Sequence, residues 1–148
     1  MLPDGGRREL TARYALVDTR HPRYVRVTPR EGWHPPERGP GGGEWWQWTA
    51  GEATLQLVNP RDVPLAIDTV VDGWSAVPRR LSLVRAGGEE RPWIQVRTER
   101  APLRLPVLGV PPGESTLRLR TPEPPFFAPG DPRPLGVAVF RFQVTPRP

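Results

Sequence analysis

Ala53-Thr-Leu-Gln-Leu-Val58 alternates apolar and polar side chains, which is the period of a β-strand with one buried and one wet face. Val137-Ala-Val-Phe-Arg-Phe-Gln-Val144 is the longest run of mixed apolar and polar residues of this kind. Further clear strands are expected over residues 80–85, 93–97 and 116–120, and fainter ones over 13–17, 24–28, 64–71 and 103–108. Strands with one wet face are typical of antiparallel sheets.

Turn-forming residues separate these segments at short intervals. Examples are Asn59-Pro-Arg-Asp62, Ala86-Gly-Gly-Glu89 and Pro111-Pro-Gly-Glu114. The spacing predicts an all-β fold, an antiparallel two-sheet sandwich of about eight or nine strands that is jelly-roll-like. We expect a flexible lead-in over residues 1–9 and a single β-sandwich domain over residues 10–148.

The composition narrows the function classes. The 148 residues include 22 prolines and 15 glycines, which disfavour long helices. All 21 basic residues are arginine and they are dispersed, so a net charge of +5 does not predict a nucleic-acid partner. The chain has no cysteine and no apolar run long enough to form a membrane segment. The compartment stays open: extracytoplasmic if this is a domain of an envelope protein, otherwise cytoplasmic.

Four of the six tryptophans lie in one short stretch, at positions 33, 45, 46 and 48. Exposed tryptophan is costly, so each must fill a core or stack on a ligand. Successive strand residues point to opposite faces, so Trp46 and Trp48 share a face while Trp45 points away from it. Trp46 and Trp48 are therefore interpreted as packing residues, and Trp33 and Trp45 as candidate sugar-stacking residues, with His34 and Glu37 as hydrogen-bonding neighbours. Trp93, at a strand start, is expected in the core.

A second distinctive segment is Pro129-Gly-Asp-Pro-Arg-Pro-Leu-Gly136. Asp131 and Arg133 are two residues apart, so both can lie on one side of an extended chain and form charge-assisted hydrogen bonds. One interpretation is a salt-bridged approach to the last strand. The other is a polar pair that contacts a ligand.

Catalytic and metal-binding patterns are weak. His21 and His34 are the two histidines, with no zinc-binding spacing around them, and no serine lies in a nucleophile-elbow pattern. No spacing selects a pair of carboxylates for glycoside hydrolysis. The sequence therefore predicts a protein that is not an enzyme, with no metal and no cofactor.

Three groups of residues resemble accessory β-sandwich domains of bacterial envelope proteins. They are Gly32-Trp33-His34-Pro-Pro-Glu37, Trp46-Gln-Trp48-Thr49 with Glu52 to Pro60, and Asp131-Pro-Arg133-Pro-Leu135-Gly136. Such domains are often attached to membrane glycosyltransferases. The resemblance implies an antiparallel sandwich without catalytic machinery that engages glycan or a lipid-linked sugar.

Two functions follow. The first is a non-catalytic carbohydrate-binding module, or one accessory to a glycan-handling envelope protein, with Trp33, His34, Glu37, Trp45, Asp131 and Arg133 as ligand-binding residues. The second is a structural or assembly module, in which exposed tryptophan and arginine contact a protein partner or another copy of the chain.

Overall fold

The computed structural model describes residues 25–147, which form two five-stranded antiparallel β-sheets. This confirms the predicted all-β, antiparallel two-sheet fold. The strands are β1 (Arg26–Pro29), β2 (Glu37–Arg38), β3 (Trp45–Trp48), β4 (Ala53–Asn59), β5 (Leu65–Ser75), β6 (Arg79–Arg85), β7 (Ile94–Val96), β8 (Ala101–Val110), β9 (Gly113–Arg120) and β10 (Val137–Pro146). One 3₁₀ turn, Pro40–Gly42, lies between β2 and β3. No described helix has the length and apolarity that a membrane crossing requires.

The described residues contain ten strands, whereas about eight or nine were expected for the whole chain, and neither β2 nor β3 was among the expected ranges. The strand β2 has only two residues and so leaves no periodic signal. The expected strand at 24–28 corresponds to β1, shifted by two residues at its start. Proline at 29 ends it, which suits an edge strand. The expected strand at 13–17 and the boundary between residues 1–9 and 10–148 lie outside the described residues.

Sheet one has the strand order β1-β4-β9-β6-β7. Its second strand, β4, alternates as its sequence predicts, with Ala53, Leu55 and Leu57 buried against the other sheet. Register pairs Leu55 with Leu117 on β9, so leucines meet directly across strands on the inner face. Burial of each such leucine contributes roughly 1.5–3 kcal/mol to folding.

Sheet two has the order β2-β3-β10-β5-β8 and contains a bulge in β10. Before the bulge Val139 pairs with Gly73, and after it Arg141 pairs with Asp72, so Phe140 is the extra residue. Strict alternation would put Phe140 and Phe142 on one face. The bulge instead leaves Phe142 in the main core and sends Phe140 to a separate cluster on the outer face.

A buried arginine holds the β9–β10 loop (residues 121–136) against the sandwich. The Arg79 side chain is 1% exposed and donates to Ser75 Oγ at 2.8 Å and Thr121 Oγ1 at 3.3 Å. It also donates to the carbonyl oxygens of Glu123 at 3.3 Å and Pro124 at 3.2 Å. Burial lowers the pKa of the Arg79 guanidinium from its ordinary value. This contact positions the loop that carries Asp131 and Arg133.

Candidate functional site

The tryptophans of β3 are divided between two faces, as their alternation predicts. Trp48 pairs in register with Ala138, which points away from the main core because Val137 and Val139 point into it. Trp48 is 8% exposed and packs with Leu135 and Ala138, and Trp46 packs at the margin of the same cluster. Trp46 and Trp48 are therefore packing residues, but on the outer face of sheet two and not between the sheets.

Trp74 and Phe140 complete this outer aromatic cluster. The Trp74 ring meets the Trp48 ring edge to face, with centroids 5.3 Å apart and planes at 68°. The Phe140 ring lies 5.8 Å from that of Trp46. Above Phe140 sits the Arg100 guanidinium, 4.0 Å from the ring centre, and it pairs with Glu44 and Asp72. The hydrogen bonds that Arg100 donates to Glu44 lower the pKa of the Glu44 carboxyl. The charged side chain of Arg100, with its partners Glu44 and Asp72, thus covers the Phe140 side of this cluster.

Trp33 lies elsewhere, in a surface cleft between β1 and β3. Its indole Nε1 donates to the Thr54 carbonyl at 2.9 Å, and its half-buried ring packs against the main core. The ring is therefore held in one orientation. The cleft has a volume of about 370 Å³ and is lined by Thr28, Pro29, Arg30, Trp33, His34, Pro35, Pro36 and Gln47.

His34 lines the same cleft, and one hydrogen bond defines which of its ring nitrogens carries a hydrogen. Its Nε2 is 2.6 Å from the Pro134 carbonyl oxygen, which can only accept, so Nε2 carries the hydrogen. In a neutral ring this leaves Nδ1 as an acceptor. Gln47 donates to the His34 carbonyl at 2.7 Å and so holds the histidine backbone to β3.

Arg133 joins three of the sequence-predicted residues into one ion-pair cluster. Its guanidinium contacts Asp131 at 2.9 Å and Glu37 at 3.3 Å, all three side chains being partly exposed. The Arg133 hydrogen bonds lower the pKa of Asp131, and the positive charge of His34 would act in the same direction. The same contacts raise the pKa of Arg133. This geometry matches the salt-bridged approach to β10, and it brings Glu37, Asp131 and Arg133 together beside His34.

Trp45 stands apart from both arrangements. It pairs with Arg38 across β2 and β3, and the Arg38 guanidinium lies 5.4 Å from the Trp45 ring centre. The half-buried ring does not belong to the Trp33 cleft lining. The two predicted stacking residues are therefore not brought together in one cleft.

Sequence reasoning missed two residues of the Trp33 cleft and misplaced one tryptophan outside it. Arg30 and Gln47 line the Trp33 cleft, but both occur in segments whose pattern carries no ligand signal. The expectation that Trp93 lies in the core was wrong. It is half-buried between the guanidiniums of Arg80 and Arg120, at 5.8 and 5.9 Å from its ring centre. In residues 25–147 no group of three or more histidines and carboxylates is arranged to hold a metal ion.

Comparison with known proteins gives similarity of fold. No protein-family model and no curated protein matches the chain. The Podospora anserina GH26-CBM35 β-(1,4)-mannanase superposes with a TM-score of 0.55 at 11% identity, over 85% of this chain and 28% of that one. A family 35 carbohydrate-binding module from Clostridium thermocellum gives 0.48 at 13%, over 82% and 97%. TmCBM61 in complex with β-1,4-galactotriose gives 0.40 at 13%, over 83% and 88%. The mannanase match supports the β-sandwich, and this chain spans less than a third of that protein.

Proposed function

We propose that this domain is a non-catalytic carbohydrate-binding module whose ligand occupies the Trp33 cleft. The observation that carries the proposal is the composition of that cleft, an indole held at a fixed orientation beside polar groups on Arg30, His34 and Gln47. A flat aromatic wall with a few polar anchors is the usual construction of a small-ligand pocket. The fold similarity to a mannanase whose name includes a CBM35 module supports the same class.

The roles of the lining residues follow from their chemistry. Trp33 would stack on the apolar face of a pyranose ring, and His34 Nδ1 would accept a hydroxyl hydrogen. Arg30 would donate to ring or hydroxyl oxygens, since its own contact in the fold is to the neutral amide of Gln56. A shallow cleft buries little ligand, so we expect dissociation constants from about micromolar to millimolar.

The other candidate residues extend this proposal. Glu37, Asp131 and Arg133 would support the cleft by holding the β9–β10 loop against His34, through the Pro134 carbonyl. Trp45 would contact only a longer oligosaccharide that runs past the cleft along β3. Association with a glycan-handling envelope protein or a lipid-linked sugar is a further part of the proposal, and it is supported by the short sequence motifs alone.

The test is a calorimetric titration of the protein with manno-, galacto-, xylo- and gluco-oligosaccharides. Binding of at least one series is expected, and Trp33→Phe should weaken it by about tenfold by reducing the stacking surface. Trp93→Phe is the matched control, because it also shortens a half-buried indole, but on sheet one beside Arg80.

Three outcomes separate the alternatives. Equal weakening by Trp33→Phe and Trp93→Phe would contradict the placement of the site. If Trp45→Phe loses affinity for the longer oligosaccharides but not for the short ones, the extended site along β3 is supported. Absence of binding to every series, with self-association that Trp45→Ala abolishes, would replace the proposal with the assembly-module alternative.

A further inference from the structure

A second cleft lies across sheet one from the Trp33 cleft, where β6 ends and β8 of the other sheet approaches. Its volume is about 350 Å³, and it is lined by Arg85, Gly87, Gly88, Glu89, Arg91, Leu108 and Gly109. The register Pro29↔Leu55↔Leu117↔Arg85 puts two strands between the clefts. Three strand spacings correspond to about 14 Å, so the two clefts are separate sites.

The two arginines of this cleft lack the carboxylate partners that five other arginines of the described residues have. Arg80, Arg100, Arg120, Arg133 and Arg147 each form an ion pair with a carboxylate. Within residues 25–147, neither Arg85 nor Arg91 forms such a pair. Two guanidiniums that line one cleft and form no ion pair with a carboxylate repel each other and attract an anion.

Arg91 connects the two sheets and has unused hydrogen-bonding capacity. Its carbonyl oxygen accepts from Ser82 Oγ on β6, and its Nη2 donates to the Val107 carbonyl on β8. Its Nε is buried and has no hydrogen-bond partner among the described residues. An unpaired buried donor is energetically costly, and a guanidinium satisfies Nε and Nη together when it meets a carboxylate side-on. A carboxylate ligand would replace the single hydrogen bond from Arg91 to the Val107 carbonyl by two hydrogen bonds, from Nε and Nη.

The remaining lining leaves room for a ligand close to the backbone. A Cβ atom added at Gly87 or at Gly109 would meet no atom within 4 Å, so open space adjoins both residues. Gly87 has a φ of 77°, the left-handed region, so glycine suits this turn. Glu89 is exposed at the same opening and is the one carboxylate of the lining. Its charge would weaken the binding of an anion.

We propose that this cleft is a second binding site, for a small carboxylate-bearing ligand held by Arg85 and Arg91. The volume is within the roughly 300–1,000 Å³ of small-ligand pockets, and the lining matches a single ring that carries one carboxylate. This second site is separate from the Trp33 cleft and does not depend on the proposed carbohydrate function.

The test is a titration with glucuronate, glucose and inorganic sulfate at low ionic strength, followed by amide chemical shifts. Glucuronate should shift amides of residues 85–91 and 107–109, while glucose should not. Arg85→Gln and Arg91→Gln should each weaken glucuronate binding by about tenfold, and Glu89→Gln should tighten it by about twofold. Arg118→Gln, which removes an exposed arginine from β9, is the matched control and should leave the affinity within about twofold.

Two results would overturn the proposal. One is a change of less than about twofold in both arginine variants, with their spectra otherwise those of the folded protein. The other is sulfate or glucose binding at the same amides as tightly as glucuronate, which would contradict the carboxylate assignment. Arg85→Gln keeps the test valid if Arg91→Gln disturbs the loop, because Arg85 makes no hydrogen bond to Val107.

Discussion

Replacement of Arg79 by methionine should destabilise the fold more than the same replacement of its neighbour Arg80. Methionine keeps an apolar stem of similar length and removes the guanidinium, which donates to two hydroxyls and two carbonyl oxygens at 2.8–3.3 Å. Ser75 Oγ still donates to the Gly136 carbonyl at 3.2 Å, so the main loss is at Thr121, Glu123 and Pro124.

The magnitude follows from what remains unpaired. Each buried polar group that loses its partner costs about 1–3 kcal/mol, and three such losses are partly offset because a cation no longer has to be desolvated. We expect a loss of about 3 kcal/mol in the free energy of unfolding, or a fall of roughly 6–12 °C in Tm for a domain of this size. Arg79→Lys keeps the charge but not the planar fork, so it should fall between methionine and wild type.

Urea unfolding followed by circular dichroism measures both variants, with Arg80→Met as the control. Arg80 is exposed and makes one ion pair, to Glu123 at 2.9 Å, so its loss should cost less than about 1 kcal/mol. Hydrogen exchange of the Phe126 and Leu135 amides, which bond to each other's carbonyls, should also accelerate in Arg79→Met. If Arg79→Met and Arg80→Met differ by less than about 1 kcal/mol, the anchoring role of Arg79 is refuted.

Three further predictions concern packing, backbone approach and pH. Trp48→Ala should cost about 3–5 kcal/mol and Trp45→Ala clearly less, because only Trp48 is enclosed; thermal unfolding of both variants measures the difference, and equal losses would contradict the assigned faces. Gly73→Ala should cost at least about 2 kcal/mol in urea unfolding, since its Cβ would lie 2.5 Å from the Ala138 carbonyl oxygen, while Gly109→Ala, whose Cβ meets nothing within 4 Å, should be nearly neutral. The Arg133 hydrogen bonds hold the pKa of Asp131 below its ordinary value in the folded protein, so its stabilising effect is complete above that ordinary pKa and is lost as the pH falls through the folded pKa. Wild type should therefore exceed Asp131→Asn in stability near neutral pH and lose that advantage in acid, whereas a difference that is independent of pH would contradict the ion pair.

The local pattern was a reliable guide to strands with one inward and one outward face. For β4, β9 and most of β10, each side chain's face follows from its neighbours in sequence, and the structure has these strands nearly where the alternation predicts them. The strand β6 also lies where it was expected, but residues 81–84 are all buried, so only one of its faces was foreseen. The Asp131–Arg133 contact was also foreseeable, because the two residues lie two positions apart and form a local charge-assisted pair.

The position of the candidate site depended on contacts that no local pattern contains. His34 meets the carbonyl of Pro134, 100 residues away, and the Trp33 indole donates across the sheet edge to Thr54. No local sequence pattern indicates that Trp93 lies between two arginines. Nor does any pattern indicate that Trp48 packs in a cluster on the outer face of sheet two.

The sequence by itself determined the class of fold, two antiparallel sheets, because the side-chain period of two is a property of the extended backbone alone. Only the tertiary structure decided which tryptophan borders a cleft and which is enclosed. Strand order, the β10 bulge and the anchored β9–β10 loop set those positions, and each arises from pairing between segments that are distant in the chain.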